Sequence, residues 1–263
     1  MRSYLFVPGN RPERFAKALG AGADVVIIDL EDAVAEADKA SARQNVVAAI
    51  ASGASVCVRI NAYGTPWFAA DLQMLSTVEV QSVMLPKAES AEALQALRGA
   101  TQAPVIALIE TALGVYQALE VARQPGVQRI AFGSVDYQLD INSDGSDEAL
   151  LYARSQIVVA SRVAGIEAPI DGVSVALDDE QALRNESTKG KSLGFAGKLC
   201  IHPRQVSLVN QLFAPSEREI AWAREVVQAF AQSSNGAVSV GGEMVDLPVL
   251  LKARKVLLQV ASV

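Results

Sequence analysis

The sequence predicts an α/β protein: a (β/α)8 barrel of the TIM type over residues 1–213, with a C-terminal helix–hairpin–helix extension over 214–263. Three observations predict it. Eight short, continuously apolar runs recur along the chain, as strands buried on both faces must. Segments of helical period separate them, the alternation of a parallel sheet with crossover helices. No G-x-G-x-x-G follows the first run, where SYLFVPGNRPERF carries one glycine, so the open doubly wound alternative lacks its phosphate turn.

In order, the strands are expected at SYLFVPG (3–9), DVVIIDLED (24–32), SVCVRINA (55–62), SVMLPKA (82–88), PVIALIET (104–111), RIAFGSVD (129–136), APIDGVSV (168–175) and GKLCIHP (197–203). Helices are expected at RFAKALGAG, KASARQNVVAAIA, SAEALQALRG, GVYQALEVAR and ALLYARSQIVVASRVAG. The polar segment DDEQALRNESTKGKSLG reads as partly loop. Past the eighth unit, SEREIAWAREVVQAFAQ reads as a helix, and SSNGAVSVGGEMVDLPVLLKARKVLLQV as a Gly-rich turn, a hairpin and a final helix. A barrel closes without such a tail, which is therefore expected to cap the mouth or to reach a neighbouring subunit.

Composition narrows the function. Of 263 residues 51% are apolar but only 5% aromatic, so small aliphatic side chains must fill the core. The net charge of −6 leaves no basic surplus to neutralise a nucleic-acid backbone. It leaves room for a small anion met by a few local cations. The N-terminal apolar run is too short for a signal peptide, and no stretch approaches a membrane span; a cytoplasmic enzyme is expected. Cys57 and Cys200 lie in strand-like runs and read as reduced core thiols. The only histidine is His202, which excludes histidine-rich metal sites.

Side chains at the C-terminal ends of barrel strands converge on one mouth. Here they are Pro8 and Gly9; Asp29, Glu31 and Asp32; Arg59 and Asn61; Lys87; Glu110; Asp136; Asp171; and His202. Glu110 and Asp136 end consecutive strands, and adjacent strands lie about 4.8 Å apart. Two acids brought together repel unless a shared proton, an arginine or a cation compensates. Two carboxylates completed by water and a chelating substrate suit Mg2+, with Mn2+ as the substitute. Asp29, Glu31 and Asp32 would hold the ion's waters. Arg59, flanked by Val58 and Ile60, must meet an anion. That anion is either an internal acid or a substrate carboxylate. The first loop offers Arg11, Arg14 and Lys17 before a helix start, where phosphate is favoured; Lys39 and Arg43 would extend that basic edge. His202 reads as a rim residue bonded to backbone rather than a general base. Lys87 would neutralise the acids or support the site.

With these residues assembled, the chain resembles the citrate lyase β-subunit-like proteins of the HpcH/HpaI aldolase and malyl-CoA lyase superfamily. The matching pieces are LFVPGNRPERF, IIDLEDAV, VRINA, MLPKAES, LIETALGV, FGSVDY, GKLCIHP and GGEMVDLP, in family order from end to end. The resemblance implies Mg2+ held by Glu110 and Asp136, an oxo-acid bound by Arg59, and CoA phosphates met by the first loop. It implies that Asp246 enters a neighbouring subunit's site to transfer a proton, and that the assembly is a homotrimer or a multiple of trimers. The implied reaction cleaves or forms a C–C bond in a 3-hydroxyacyl-CoA, such as citryl-, citramalyl- or malyl-CoA, giving an acyl-CoA and a 2-oxo acid. Two alternatives stand beside it. One is a metal-dependent aldolase on free pyruvate aldols, against which the lack of an early histidine counts. The other is a β subunit active only within a citrate lyase complex.

Overall fold

The computed structural model describes residues 1–232 and 237–261. Eight parallel strands close in sequence order into a barrel: β1 (Ser3–Pro8), β2 (Val25–Asp29), β3 (Cys57–Arg59), β4 (Ser82–Leu85), β5 (Val105–Ile109), β6 (Val127–Phe132), β7 (Ile170–Asp171) and β8 (Gly197–Cys200). The helices of this unit are α1 (Phe15–Leu19), α2 (Lys39–Ala51), α3 (Phe68–Leu75), α4 (Ala91–Ala100), α5 (Ala112–Tyr116), α6 (Ala118–Ala122), α7 (Ser134–Asp140), α8 (Asp147–Ala164), α9 (Glu180–Leu193) and α10 (Pro203–Phe213). This is the expected TIM barrel.

The strand pleat divides the apolar residues into two cores. Tyr4, Ile27, Cys57, Met84, Ile106, Leu108, Ala131, Ile170 and Leu199 fill the barrel interior. Their neighbours, among them Leu5, Ile28, Val58, Ile130 and Cys200, pack outward against the helices. Both cysteines are buried and free, and burial pushes each thiol up to about 12.

Several boundaries depart from expectation. The sixth strand was expected to run to Asp136, yet it ends at Phe132. The Gly133 N–H makes a last rung to Ile109 O at 2.8 Å, and the Gly133 carbonyl then accepts Tyr137 N–H at 3.0 Å, opening α7. Asp136 therefore stands in the first turn of a helix. The seventh strand pairs over two residues instead of eight, because side chains take the next carbonyls: Lys198 Nζ donates to Gly172 O and Gln205 Nε2 to Ser174 O. The segment expected as part loop is the 14-residue α9. Asp179 caps its start through Ala182 N–H, and Gly194, at φ +109°, caps its end. Its charged composition hid a buried face of Leu183, Ser187 and Gly190. The helix expected at 114–123 divides into α5 and α6 at Gln117.

Residues 214–263 form a second compact unit. It comprises α11 (Glu217–Ala231), a hairpin of β9 (Val238–Val240) and β10 (Glu243–Val245), and α12 (Leu247–Ala261). A capping box starts α11: Ser216 Oγ accepts Glu219 N–H while Glu219 Oε2 accepts Ser216 N–H. Gly241 and Gly242 both take positive φ, +59° and +86°, as a tight hairpin turn requires. Ala223, Val226, Val245, Leu250 and Ala253 make this unit's own core. Part of the expected Gly-rich turn, residues 233–236, and the chain end, 262–263, lie outside the described residues. No helix among the described residues is long and apolar enough to cross a membrane.

Candidate active site at the barrel mouth

Glu110 follows β5 directly and is 2% exposed. Its Oε1 accepts the Lys87 backbone N–H at 2.9 Å. Burial, and then the charge of Asp136 against the relief of that hydrogen bond, pushes its carboxyl up to about 7. The pair can close up because residue 133 is glycine. A Cβ there would lie 2.5 Å from Glu110 Cβ and 2.6 Å from Oε2.

Arg59, at the end of β3, faces these acids and is held by others. Asp29 grips it through two parallel bonds, Nε to Oδ1 and Nη2 to Oδ2, both 2.7 Å. Its Nη1 lies 3.0 Å from Glu31 Oε2 and 3.3 Å from Asp32 Oδ2. The Glu31 oxygen stands out of line for a hydrogen bond and has no other partner. Burial opposes the guanidinium charge, but Asp29, Glu31 and Asp32 outweigh it and hold Arg59 charged. Burial pushes Glu31 up to about 8 against the pull of Arg59. The Phe6 ring supports the guanidinium from one side, at 4.9 Å.

One cavity of about 380 Å3 collects Pro8, Asp29, Asp32, Arg59, Glu110 and Asp136. Its walls are apolar: Phe6, Leu108, Phe132, Val173 and Leu199. The other expected rim residues have separate employment. Asn61 bonds to Asp71 through both its N–H and its amide. Asp171 pairs with Arg154 at 3.1 Å. His202 accepts Arg204 N–H at Nδ1 and receives no place in the cavity lining. Lys87 is exposed and contributes its peptide N–H.

The wider basic edge is a correction. Lys39 is buried, donating to Leu30 O and Glu31 O, and Arg43 pairs with Asp71; carbonyls and a buried carboxylate draw them inward. Arg11, Arg14 and Lys17 remain at the surface, with Glu13 beside both arginines. Asp29, expected to hold metal waters, accepts at both its oxygens from Arg59 and from the N–H groups of Glu31 and Ala33. Sequence reasoning missed Gly133 and Ser134. The glycine inside FGSVD was their visible trace.

The donor set fits a hard divalent cation. Glu110 and Asp136 offer oxygen alone, and the facing arginine is already engaged. No group of three or more His, Cys, Asp or Glu side chains among the described residues is arranged to hold an ion. Two carboxylates of this kind fit part of the shell of Mg2+, an ion that habitually takes its remaining oxygens from water and substrate.

Comparison with known proteins gives the family. The family described as HpcH/HpaI aldolase/citrate lyase matches residues 2–203. This chain belongs to that family. A second family description, a C–C bond lyase of the TIM-barrel fold, matches residues 151–261. The chain is 41% identical to a citrate lyase subunit beta-like protein of Deinococcus radiodurans, over 98% of this chain and 96% of that one. It is 37% identical to citrate lyase subunit beta of Leuconostoc mesenteroides, over 97% and 92%. The solved structure of CitE from Mycobacterium tuberculosis, in complex with magnesium, acetoacetate and coenzyme A, superposes with a TM-score of 0.88 at 37% identity, covering 99% of this chain and 98% of that one.

Proposed function

We propose that this member of the HpcH/HpaI aldolase/citrate lyase family is a Mg2+-dependent carbon–carbon lyase. Its substrate is a 3-hydroxyacyl-CoA such as citryl-, citramalyl- or malyl-CoA, split into an acyl-CoA and a 2-oxo acid or formed from them. The observation that carries this reading is the meeting of Glu110, Asp136 and Arg59 in one cavity with apolar walls. The relative bound to magnesium, acetoacetate and coenzyme A supports the ligand classes.

In this reading Glu110 and Asp136 hold Mg2+, or Mn2+ in its place, by their carboxylate oxygens. The ion, when bound, supplies Lewis-acid stabilisation of the oxyanion charge that C–C cleavage releases. Arg59 sets a second positive charge beside that oxygen and receives the carboxylate of the oxo-acid portion. Asp32, 63% exposed and on the longest of the three contacts, is the acid a substrate carboxylate displaces most easily. Asp29 keeps the guanidinium oriented meanwhile. Phe6, Leu108, Phe132 and Val173 keep water from the reacting atoms. Arg11, Arg14 and Lys17 receive the CoA phosphates at the surface. Asp246 hands a proton to the enolate carbon of a neighbouring subunit's substrate, or removes one in condensation.

The same reading makes the protein a cytoplasmic homotrimer or a multiple of trimers, and the extension an oligomerisation element. Large apolar side chains stand exposed on α5, α7 and α8, among them Tyr116 at 77%, Leu139 at 81% and Tyr152 at 65%, and an assembly would cover them.

The test is an activity screen of the purified chain, with Mg2+ and with chelator, against citryl-, citramalyl- and malyl-CoA. Cleavage of one thioester that chelator abolishes supports the reading and dispenses with partner subunits. Turnover of free pyruvate aldols instead would replace it.

A further inference from the structure

The short exit of β7 is held from outside the barrel. Asp171 and Lys198 are register partners on β7 and β8. Their neighbours Ile170 and Leu199 fill the interior, so both charged side chains turn toward the helix layer. Lys198 is 1% exposed. Its Nζ donates to Gly172 O at 2.7 Å and lies 3.4 Å from Glu186 Oε2 and 3.9 Å from Asp171 Oδ2. Asp171 in turn pairs with Arg154. A buried ammonium is costly unless its donors are used. This one fixes a main-chain carbonyl immediately past a strand end.

Gly172 has a second contact on its other side. A Cβ there would lie 2.3 Å from Ser134 Oγ, 2.9 Å from Ser134 Cβ and 3.1 Å from Phe132 O. Ser134 is the first residue of α7, and Asp136 the third. The glycine peptide is thus a floor under the turn that carries Asp136.

We propose that Gly172 and Lys198 are positioning residues for Asp136. The ammonium fixes the Gly172 peptide, and the bare Cα lets the first turn of α7 settle against it, at the depth where the Asp136 carboxylate meets Glu110. This inference rests on the reading of Glu110 and Asp136 as an ion-binding pair.

Titration calorimetry of Mg2+ into the full chain tests it, with circular dichroism confirming fold. Gly172→Ala pushes Ser134 outward and is expected to weaken Mg2+ binding about 10–100-fold, the usual loss when support behind a ligand is disturbed. Gly172→Ala with Ser134→Gly removes both Ser134 atoms from the clash and is expected to recover most of that loss, with Ser134→Gly alone as reference. Lys198→Met, of similar length without the donor, is expected to weaken binding in the same direction. A merely structural role for Gly172 would lower the melting temperature without moving metal affinity in the folded protein. Wild-type affinity in folded Gly172→Ala, or no recovery in the double variant, overturns the inference. Should Gly172→Ala not fold, wild-type affinity in Lys198→Met overturns it. Glu110→Gln, run alongside, separates the two levels. If it binds Mg2+ as well as wild type, the reading of Glu110 and Asp136 as an ion-binding pair falls and this inference with it. If it loses binding while Gly172→Ala keeps it, this inference alone falls.

Discussion

Lys87 gives its backbone N–H to Glu110 Oε1 at 2.9 Å, and does so from a left-handed backbone with φ +46°. That conformation places the residue's Cβ against the following carbonyl, at a cost of roughly 1–2 kcal/mol for a non-glycine residue. The buried carboxylate gains one fixed donor. Lysine tolerates the geometry, whereas a β-branched residue suits it poorly. Lys87→Val is therefore expected to be less stable than Lys87→Gly by on the order of 1 kcal/mol, read as the difference between their chemical denaturation midpoints. Equal midpoints would contradict the strained backbone.

Gly133 leaves the space that the Glu110 side chain fills. Gly133→Ala puts a methyl 2.5 Å from Glu110 Cβ and 2.6 Å from its Oε2, so the backbone must shift and the carboxylate must move with it. The expected result is at least a tenfold weaker Mg2+ affinity, as for other disturbed supports of a ligand, with circular dichroism unchanged. Calorimetry reads it, and unaltered affinity would reject the contact.

Arg59→Lys removes the fork while keeping a charge. A lysine cannot make both Asp29 bonds, and the loss of one preorganised donor to developing charge costs about 2.7–4 kcal/mol, or roughly 10²–10³ in kcat. Steady-state kinetics on the cleaved thioester measures it. A kcat within twofold of wild type would remove Arg59 from the reaction.

The pH dependence follows from two raised carboxyls. Glu110 at about 7 and Glu31 at about 8 both stand above their ordinary 4.5. The folded state therefore binds more protons than the unfolded state in this window. Without Mg2+, the stability these groups contribute is fully present below about pH 4.5 and is lost as pH rises through about 7 and 8. In the proposed reading Mg2+ needs the ionised Glu110, so its affinity rises through pH 7 and binding releases a proton. Melting curves from pH 5 to 9 should show metal-free stability falling while the gain from Mg2+ grows. A Mg2+ gain that shrinks over this range would refute the assignment.

Asp246 begins α12, accepting Val249 N–H at Oδ1 at 3.3 Å. Asparagine preserves such a cap and alanine loses it, at about 1 kcal/mol. Asp246→Asn should therefore keep its melting temperature and substrate affinity yet lose turnover, while Asp246→Ala also loses stability. Wild-type turnover in Asp246→Asn would leave the residue a cap alone.

The barrel was readable because a strand covered on both faces must be apolar along its length, and eight such runs state that without any partner in view. Glu110 was readable for the same reason: an acid directly after VIALI has only the mouth to occupy. Apolar patterning extends the sixth strand to Asp136 because it cannot see the Gly133 carbonyl turn to Tyr137 N–H. The charged α9 escapes sequence patterning because its buried face is small: Leu183, Ser187 and Gly190.

By itself the sequence determined the closed parallel barrel, the family and the acids at the strand exits, since all three follow from local patterns of burial and residue order. Only the tertiary structure decided which groups face one another: that Asp29 belongs to Arg59, that Lys39 and Arg43 turn inward, and that Gly133 leaves room beside Glu110 and Gly172 beside Ser134. The physical reason is that a charge takes the nearest partner through space, and residues far apart in sequence become neighbours only when the barrel closes.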